Sequence, residues 1–317
     1  MKSMKNCALI GAICLLLVSC NGYEKLLNSN DYDAKYEAAM RYYNNNSYSR
    51  AIQLFENLTL HYRGREHAEQ VAWCYAQALY KEHDYYTAAY QFKRYASQYP
   101  YGDNAEEALY MSAYCKYLYS PDYYLDQTPT ADAIQELEAF AERYPRSVHM
   151  PDVNRQLDEM RAKLVKKDYE KAFGWYTIEE YHAAYESFRQ FLDLYPEAAQ
   201  REEAMYLQLD AAYRYAMGSR LDRQRERLHQ TLVDFDRFVA NYPESRHLAD
   251  AQAIYTKARA ALTTLEKGEA SAKNAAQSPG TKQKIIIQPN ESKQERDPRR
   301  GEKTHPQHHH HAQHRPL

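Results

Sequence analysis

Small and bulky residues recur along the chain in a fixed order that ends at a proline. The dipeptide Tyr-Pro occurs at residues 99–100, 144–145, 195–196 and 242–243, and Tyr62-Arg63 is a degenerate copy. Counting back from each proline position, a bulky residue stands five and eight residues earlier, and a small residue stands twelve residues earlier. These positions fall on one face of an α-helix, and a proline ends the helix. The pattern therefore predicts five amphipathic helices of one kind.

A second, looser pattern precedes three of these helices. A small residue is followed three positions later by a bulky one at Ala39–Tyr42, Ala76–Leu79 and Ala172–Trp175. The small residue allows a partner helix to approach closely. Paired in this way, the helices resemble tetratricopeptide repeats. The resemblance implies an all-α fold, an α-solenoid of about five tetratricopeptide-like helix pairs, with the amphipathic stretch His247–Leu265 as its C-terminal capping helix.

These repeats are longer than the roughly 34 residues usual for tetratricopeptide repeats. Successive proline positions are separated by 37, 45, 51 and 47 residues. Repeat three contains the polar, proline-bearing stretch Ser120–Pro129, which predicts a loop between its helices. A shorter loop is predicted in repeat five at Gly218–Gln224. Repeat four is predicted to have a long first helix, Asp152–Tyr176, interrupted only by Gly174.

The first twenty residues have the pattern of an export signal. Two lysines precede an apolar run from Ala8 to Val18, which is shorter than the roughly 20 residues that a membrane-spanning helix needs. The following Leu17-Val18-Ser19-Cys20 resembles the bacterial lipobox. The resemblance implies that residues 1–19 are a lipoprotein signal peptide, that Cys20 is the lipidation site and that residues 20–30 are a lipidated tether. An ordinary signal peptide with a chance cysteine is the alternative.

Composition excludes several classes of function. The 317 residues are 26% charged with a net charge of −2, so the chain lacks the basic footprint of a nucleic-acid-binding protein. No two of its nine glycines form a G-x-G motif, which disfavours nucleotide binding. The chain also lacks the spacings typical of metalloproteases and serine hydrolases. We therefore predict a protein that is not an enzyme and that has no cofactor and no metal site.

The repeats and the C-terminal segment differ in composition. Residues 31–265 carry the repeats and are predicted to form the solenoid. Residues 266–317 are polar, rich in histidine and nearly without aromatic residues, so we predict a disordered tail. Outside the export signal and the lipid site only Cys74 and Cys115 remain, both in apolar helical stretches. This placement favours buried thiols, and a disulfide between neighbouring helices is the alternative.

The inner face of the repeats is predicted to be aromatic. In tetratricopeptide repeats the first helices line the concave surface. With Ala39, Ala76 and Ala113 as the small residues, we take the positions three before, one after and four after each as candidates. Such residues suit an extended peptide with aromatic or aliphatic side chains, although a thin solenoid that fills its core with tyrosine is an alternative. The candidates are Tyr36, Met40, Tyr43, Trp73, Gln77, Tyr80, Tyr110, Tyr114 and Tyr117.

Several segments together resemble one family of bacterial lipoproteins. After the lipobox come Tyr23–Leu27 and Asp31–Tyr32, then the repeats, with further matching stretches at Ala88–Phe92 and Glu106–Cys115. Over residues 17–265 the chain thus resembles the BamD family, the tetratricopeptide-repeat outer-membrane lipoproteins of the β-barrel assembly machinery, in a Bacteroidetes-like version.

This resemblance implies a scaffold anchored by lipid to the periplasmic face of the outer membrane. Its N-terminal repeats are expected to bind unfolded outer-membrane proteins, and its C-terminal repeats to bind the barrel-forming subunit through that subunit's periplasmic repeat domains. We expect the docking surface to include a charged run in repeat five, although a solvated helix face explains the run equally well. The run consists of Arg220, Arg223, Arg225 and Arg227.

Two other functions are compatible with the same fold. One is a periplasmic tetratricopeptide adaptor for envelope division or peptidoglycan synthesis, which differs only in its partners. The other is a glycan-binding lipoprotein. Proteins of that second kind are longer and hold the sugar with loop-rich insertions, whereas no insertion here exceeds roughly a dozen residues.

Overall fold

The computed structural model describes residues 22–62, 64 and 66–277, with side chains as far as residue 271. Within that part the chain forms helices and no strand, in consecutive packed pairs, which confirms the predicted all-α, tetratricopeptide-like solenoid. The predicted signal peptide, Cys20 and the chain beyond residue 277 lie outside the described residues. After a short helical segment at 22–27, the helices are α1 Tyr32–Asn44, α2 Tyr48–His61, α3 Ala68–Lys81, α4 Tyr85–Gln98, α5 Ala105–Tyr119, α6 Thr128–Arg143, α7 Met150–Thr177, α8 Tyr181–Leu194, α9 Arg201–Met217, α10 Leu221–Asn241 and α11 Leu248–Gln277.

The Tyr-Pro dipeptides end helices, as the sequence predicts. Helices α4, α6, α8 and α10 each stop immediately before the tyrosine, whose backbone N–H donates to the carbonyl four residues earlier. The proline that follows has no N–H to continue the helix and keeps the tyrosine out of helical geometry. At the other end, Asp31 and Asp84 cap α1 and α4 by accepting hydrogen bonds from the backbone N–H groups of Ala34 and Thr87.

The small and bulky positions of the second helices form the core. Burying a Phe or Leu side chain contributes roughly 1.5–3 kcal/mol, so this repeated face supplies much of the driving force for pairing. The small residues of the first helices, Ala39, Ala76 and Ala172, are likewise fully buried, which lets the two backbones approach. Every predicted position of the second helices is buried: Ala51, Phe55, Leu58, Ala88, Phe92, Tyr95, Ala133, Leu137, Phe140, Ala184, Phe188, Phe191, Thr231, Phe235 and Phe238.

The core falls into two main clusters joined by the long helix α7. Its first turns place Val153 and Leu157 in the cluster of repeats one to three. Its last turns place Tyr169 and Ala172 in the cluster of repeats four and five. At 28 residues, α7 is about 42 Å long, enough to belong to both clusters.

Three details differ from the sequence-based expectations. Helix α7 runs to Thr177 without interruption at Gly174. The break in repeat five is only the three residues between Met217 and Leu221, because α10 begins at Leu221. Helix α11 continues to Gln277, so the tail predicted to be disordered from residue 266 begins as helix. Extending an existing helix avoids the cost of nucleation, and most of residues 266–277 are good helix formers.

The compact unit that contains the repeats ends at Glu266, and a second unit begins at Lys267. In the repeat unit, Tyr255 of α11 lies against Phe235 of α10, with ring centroids 4.6 Å apart. Ala251 and Ile254 are buried in the cluster of repeats four and five. No helix among the described residues is long and apolar enough to cross a membrane.

Candidate peptide-binding site

The nine predicted peptide-binding residues lie on α1, α3 and α5, and most of them are engaged in packing. Tyr110 is buried and the other eight are partly buried. Tyr43 packs edge-on against Tyr48 and Phe55 of α2. Met40 also packs against the core, and Gln77 lies between aromatic positions of α3. Tyr117 donates a hydrogen bond to Glu159 of α7 at 2.5 Å.

Some of these residues form a continuous row of rings. Tyr110, Tyr114 and Tyr117 are nearly parallel along α5, with successive centroids 5.8 and 5.9 Å apart. Tyr80 of α3 joins this row, because its ring lies 6.3 Å from that of Tyr114. The structure therefore brings the α3 and α5 candidates together, while the α1 candidates contact α2 and the start of α3.

A second row of the same kind lies on α7 and was not among the predicted residues. Tyr169 and Phe173 are parallel at 6.2 Å, and Phe173 and Tyr176 follow at 6.5 Å. These are the positions three before, one after and four after Ala172. Since Ala172 is recognisable as a small first-helix residue, the same counting applied to repeat four finds them.

Histidines from the following repeat cover three of the aromatic rings. His67 stacks on Tyr36 at 4.7 Å, and it is the residue just before α3. His149, the residue just before α7, stacks on Tyr110 with ring centroids 3.9 Å apart. His247, the residue just before α11, stacks on Tyr206 at 4.3 Å. Each histidine stands four residues after a proline position of the repeat pattern. The sequence contains this signal, although it is visible only once the repeats are aligned.

Repeat two lacks this cover, and a groove opens there. The residue four after Pro100 is Asn104, and no described histidine stacks on Trp73, which packs instead against Phe92 and Tyr95 at 5.6 and 5.2 Å. Beside Trp73 lies an open groove of about 1110 Å³ bounded by α3, α4 and the end of α2. Of the nine predicted residues, only Trp73 lines it.

The groove wall combines aromatic rings with polar side chains. Tyr95 donates a hydrogen bond to Glu69 at 2.7 Å, and burial followed by this bond raises the pKa of the phenol. The Glu69 carboxylate occupies the space beside Gly102, where an added Cβ would lie 2.5 Å from it. The remaining polar residues of the groove include Gln91 and Arg94 of α4.

The four arginines predicted to dock a partner divide into two kinds. Arg220 and Arg223 are exposed and lie near Asp222 and Glu226, at 3.2 and 3.7 Å. Arg225 is partly buried. The guanidinium of Arg227 lies 4.0 Å from the ring centroid of Tyr215 and donates a hydrogen bond to Ser219, so it packs the start of α10 against the end of α9.

The two remaining thiols are free and buried. Cys74 and Cys115 form no disulfide, which answers the alternative left open by the sequence. Burial raises the pKa of the Cys74 thiol to about 11 and that of Cys115 to about 12. In the part of the chain that the structure describes, no cluster of three or more His, Cys, Asp or Glu side chains is arranged to hold a metal ion.

Comparison with known proteins places the chain among outer-membrane lipoproteins. The family model YfiO, described as an outer membrane lipoprotein, matches residues 29–177 and 169–271. The outer membrane protein assembly factor BamD of Caulobacter vibrioides is 27% identical over 136 residues. That alignment covers 42% of this chain and 44% of the relative, so it spans less than half the length of the curated protein it matches.

Proposed function

Because the chain belongs to the YfiO family of outer membrane lipoproteins, we propose that it is a scaffold of the β-barrel assembly machinery. The name of its Caulobacter relative, an outer membrane protein assembly factor, supports this proposal. The proposed partners are the barrel-forming subunit, which has periplasmic repeat domains, and unfolded outer-membrane proteins as clients. Such a role needs binding surfaces and no catalytic group, so the proposed protein is not an enzyme.

The proposed anchor is a set of acyl chains on Cys20, which lies outside the described residues. One acyl chain binds a membrane only marginally, whereas several give stable attachment. The anchor holds the repeats at the periplasmic face of the outer membrane. We expect Cys20→Ser to release the protein from the membrane fraction, and a globomycin-sensitive shift in mass to report the processing of residues 1–19.

The open groove beside Trp73 is the observation that supports client binding. Here the ring of Trp73 lines unoccupied space and has no described histidine stacked on it. An unfolded client exposes aromatic side chains and unpaired backbone groups, and an open groove with a ring and several amide side chains matches both.

Repeats four and five are the proposed docking region for the barrel-forming subunit. Within the charged run, Arg220 and Arg223 have the most exposed side chains and are the main candidates for contact with the partner. Charged groups at the rim of an interface mainly guide association and set its salt dependence. Arg227, which packs on Tyr215, contributes by holding the local structure of that surface.

The test is affinity capture of the tagged, membrane-anchored full chain after gentle detergent extraction. Recovery of a β-barrel protein with periplasmic repeat domains supports the proposal, and Arg220→Glu with Arg223→Glu should reduce that recovery. The matched control is Arg41→Glu with Arg143→Glu, which reverses two exposed arginines of repeats one and three, outside the proposed docking region. Recovery of cell-wall or division proteins in place of the barrel protein would contradict the assignment and favour the adaptor alternative.

A further inference from the structure

The groove beside Trp73 contains a cation that has no hydrogen-bond or ion-pair partner among the described side chains. Gln91, Arg94, Tyr95 and Gln98 stand at helical spacing on one face of α4, and all four line the groove. Arg94 is partly buried, and its guanidinium forms no hydrogen bond or ion pair with the described residues. Its neighbour Lys93, on another face of α4, is paired with Glu136 at 2.5 Å. A partly buried arginine whose charge is not paired by a described residue favours an anionic group on a ligand.

The acidic residues of the groove do not satisfy Arg94. The Glu69 carboxylate accepts the hydrogen bond of Tyr95 and sits against Gly102. Asp103 is exposed at the rim and makes no ion pair with a described residue. Since His67 is stacked on Tyr36, Arg94 is the cation that faces the groove without a bound partner among the described side chains.

Two amides flank Arg94 along the helix. Gln91 and Gln98 stand about one helical turn before and after it, and neither side-chain amide is hydrogen-bonded to a described residue. Primary amides offer both a donor and acceptors to a peptide backbone. Because such groups lie on both sides of Arg94, a bound chain gains contacts by continuing past the arginine in both directions. A terminal carboxylate at Arg94 would leave one of the two amides unused.

We propose that the groove selects an extended, internal polypeptide segment that carries an aromatic and an acidic side chain on the same side of the chain. Residues two positions apart in an extended chain point to the same side and are about 7 Å apart, so they are the simplest such pair. The aromatic ring covers the open face of Trp73 while the Asp or Glu carboxylate pairs with Arg94, and the amides bind the backbone between and around them. This inference rests on the proposed function, since it specifies which client segments the groove receives.

The test measures binding of synthetic peptides to the purified full chain in detergent by fluorescence anisotropy. The probe is a fluorescein-labelled peptide of about twelve residues, blocked at both ends, with one Tyr-Ser-Asp in a Ser/Thr background. Replacing its Asp by Asn should weaken binding at least about tenfold, as expected for a charge-assisted pair. A third peptide carries Asn in place of Asp and a free terminal carboxylate.

Protein variants locate the effect. Arg94→Gln should weaken binding of the Asp peptide about tenfold and leave binding of the Asn peptide unchanged. Lys93→Gln removes the neighbouring cation on another face of α4 and should change the affinity for neither peptide. Trp73→Leu should weaken both peptides. Because Trp73 also packs on Phe92 and Tyr95, circular dichroism of each variant checks the fold. The result for Arg94→Gln decides whether the inference holds.

Equal binding of the Asp and Asn peptides overturns the inference. The inference is also overturned if Arg94→Gln weakens binding only of the peptide with a free terminal carboxylate, because the groove would then bind a chain terminus. Failure of the proposed function is a separate result. In that case affinity capture does not recover the barrel-forming partner, while the peptide-binding results are unaffected.

Discussion

The imidazole of His149 lies parallel to the ring of Tyr110, with centroids 3.9 Å apart and planes 8° from parallel. The same histidine reaches Glu107 at 2.7 Å. It therefore ties the start of α7 to two positions on α5, one repeat earlier. Equivalent stacks, His67 on Tyr36 and His247 on Tyr206, make this contact a recurring joint between repeats.

We expect His149→Ala to lower the free energy of unfolding by about 1–2 kcal/mol, because a ring pair and a hydrogen bond to a carboxylate are lost. Urea denaturation followed by circular dichroism measures the change. His229→Ala is the control, since His229 is exposed on α10. Equal unfolding curves for the two variants would show that the stack does not stabilise the joint.

Asn104→His should close the groove. A histidine at this position stands in the register of His67, His149 and His247, so its ring is expected to cover Trp73. Binding of the blocked Tyr-Ser-Asp peptide should fall about tenfold, at the upper end of what an aromatic contact contributes. Because Asn104 also hydrogen-bonds Tyr95, circular dichroism checks that the fold is kept. Gln200→His, the same register in repeat four, is the control. Unchanged peptide affinity in Asn104→His would contradict the role of the uncovered ring.

The thiols of Cys74 and Cys115 should be unreactive in the folded protein. Only the thiolate reacts, and burial raises the pKa of these thiols to about 11 and about 12. Ellman's reagent at about pH 8 should therefore label neither cysteine until urea unfolds the chain, when both react without a reductant. Labelling that requires a reductant would indicate a disulfide instead.

Arg220 and Arg227 should respond differently to substitution. Arg227→Ala removes a cation–π contact with Tyr215 and a hydrogen bond to Ser219, so we expect a loss of about 1–2 kcal/mol in unfolding free energy. Arg220→Ala, at an exposed position, should leave unfolding unchanged. Chemical denaturation of both variants decides the point, and equal destabilisation would mean that Arg220 also packs locally.

Asp234 should make stability depend on pH. It is buried, and burial raises the pKa of its carboxyl although Arg237 opposes the shift. The native chain thus binds this proton more readily than the unfolded chain, so the contribution of Asp234 to stability falls as pH rises from about 4 through the native pKa. Relative to wild type, Asp234→Asn should gain stability over that range. Asp236→Asn is the control, because Asp236 is exposed on the same helix. Its free energy of unfolding, measured by urea titration at each pH, should follow the same pH dependence as that of wild type.

Local patterns allowed the helices and their faces to be predicted. The positions five, eight and twelve before each proline are all buried, and each Tyr-Pro ends its helix, because helical periodicity and proline geometry act within one element. The same reasoning placed the aromatic candidates on the first helices correctly. It could not tell which of them remain open, and Trp73 alone among the nine lines the groove.

The sequence by itself determined the repeat, the helix ends and the buried faces, since these depend on residues a few positions apart. Only the tertiary structure decided which rings and charges are available. Tyr110 is covered by a histidine 39 residues later in the chain. Arg227 is engaged by Tyr215, while Arg94 has no hydrogen-bond or ion-pair partner among the described side chains. Such distinctions arise from contacts between helices, both within and between repeats, whose geometry is set by packing and is not encoded in the spacing of any one helix.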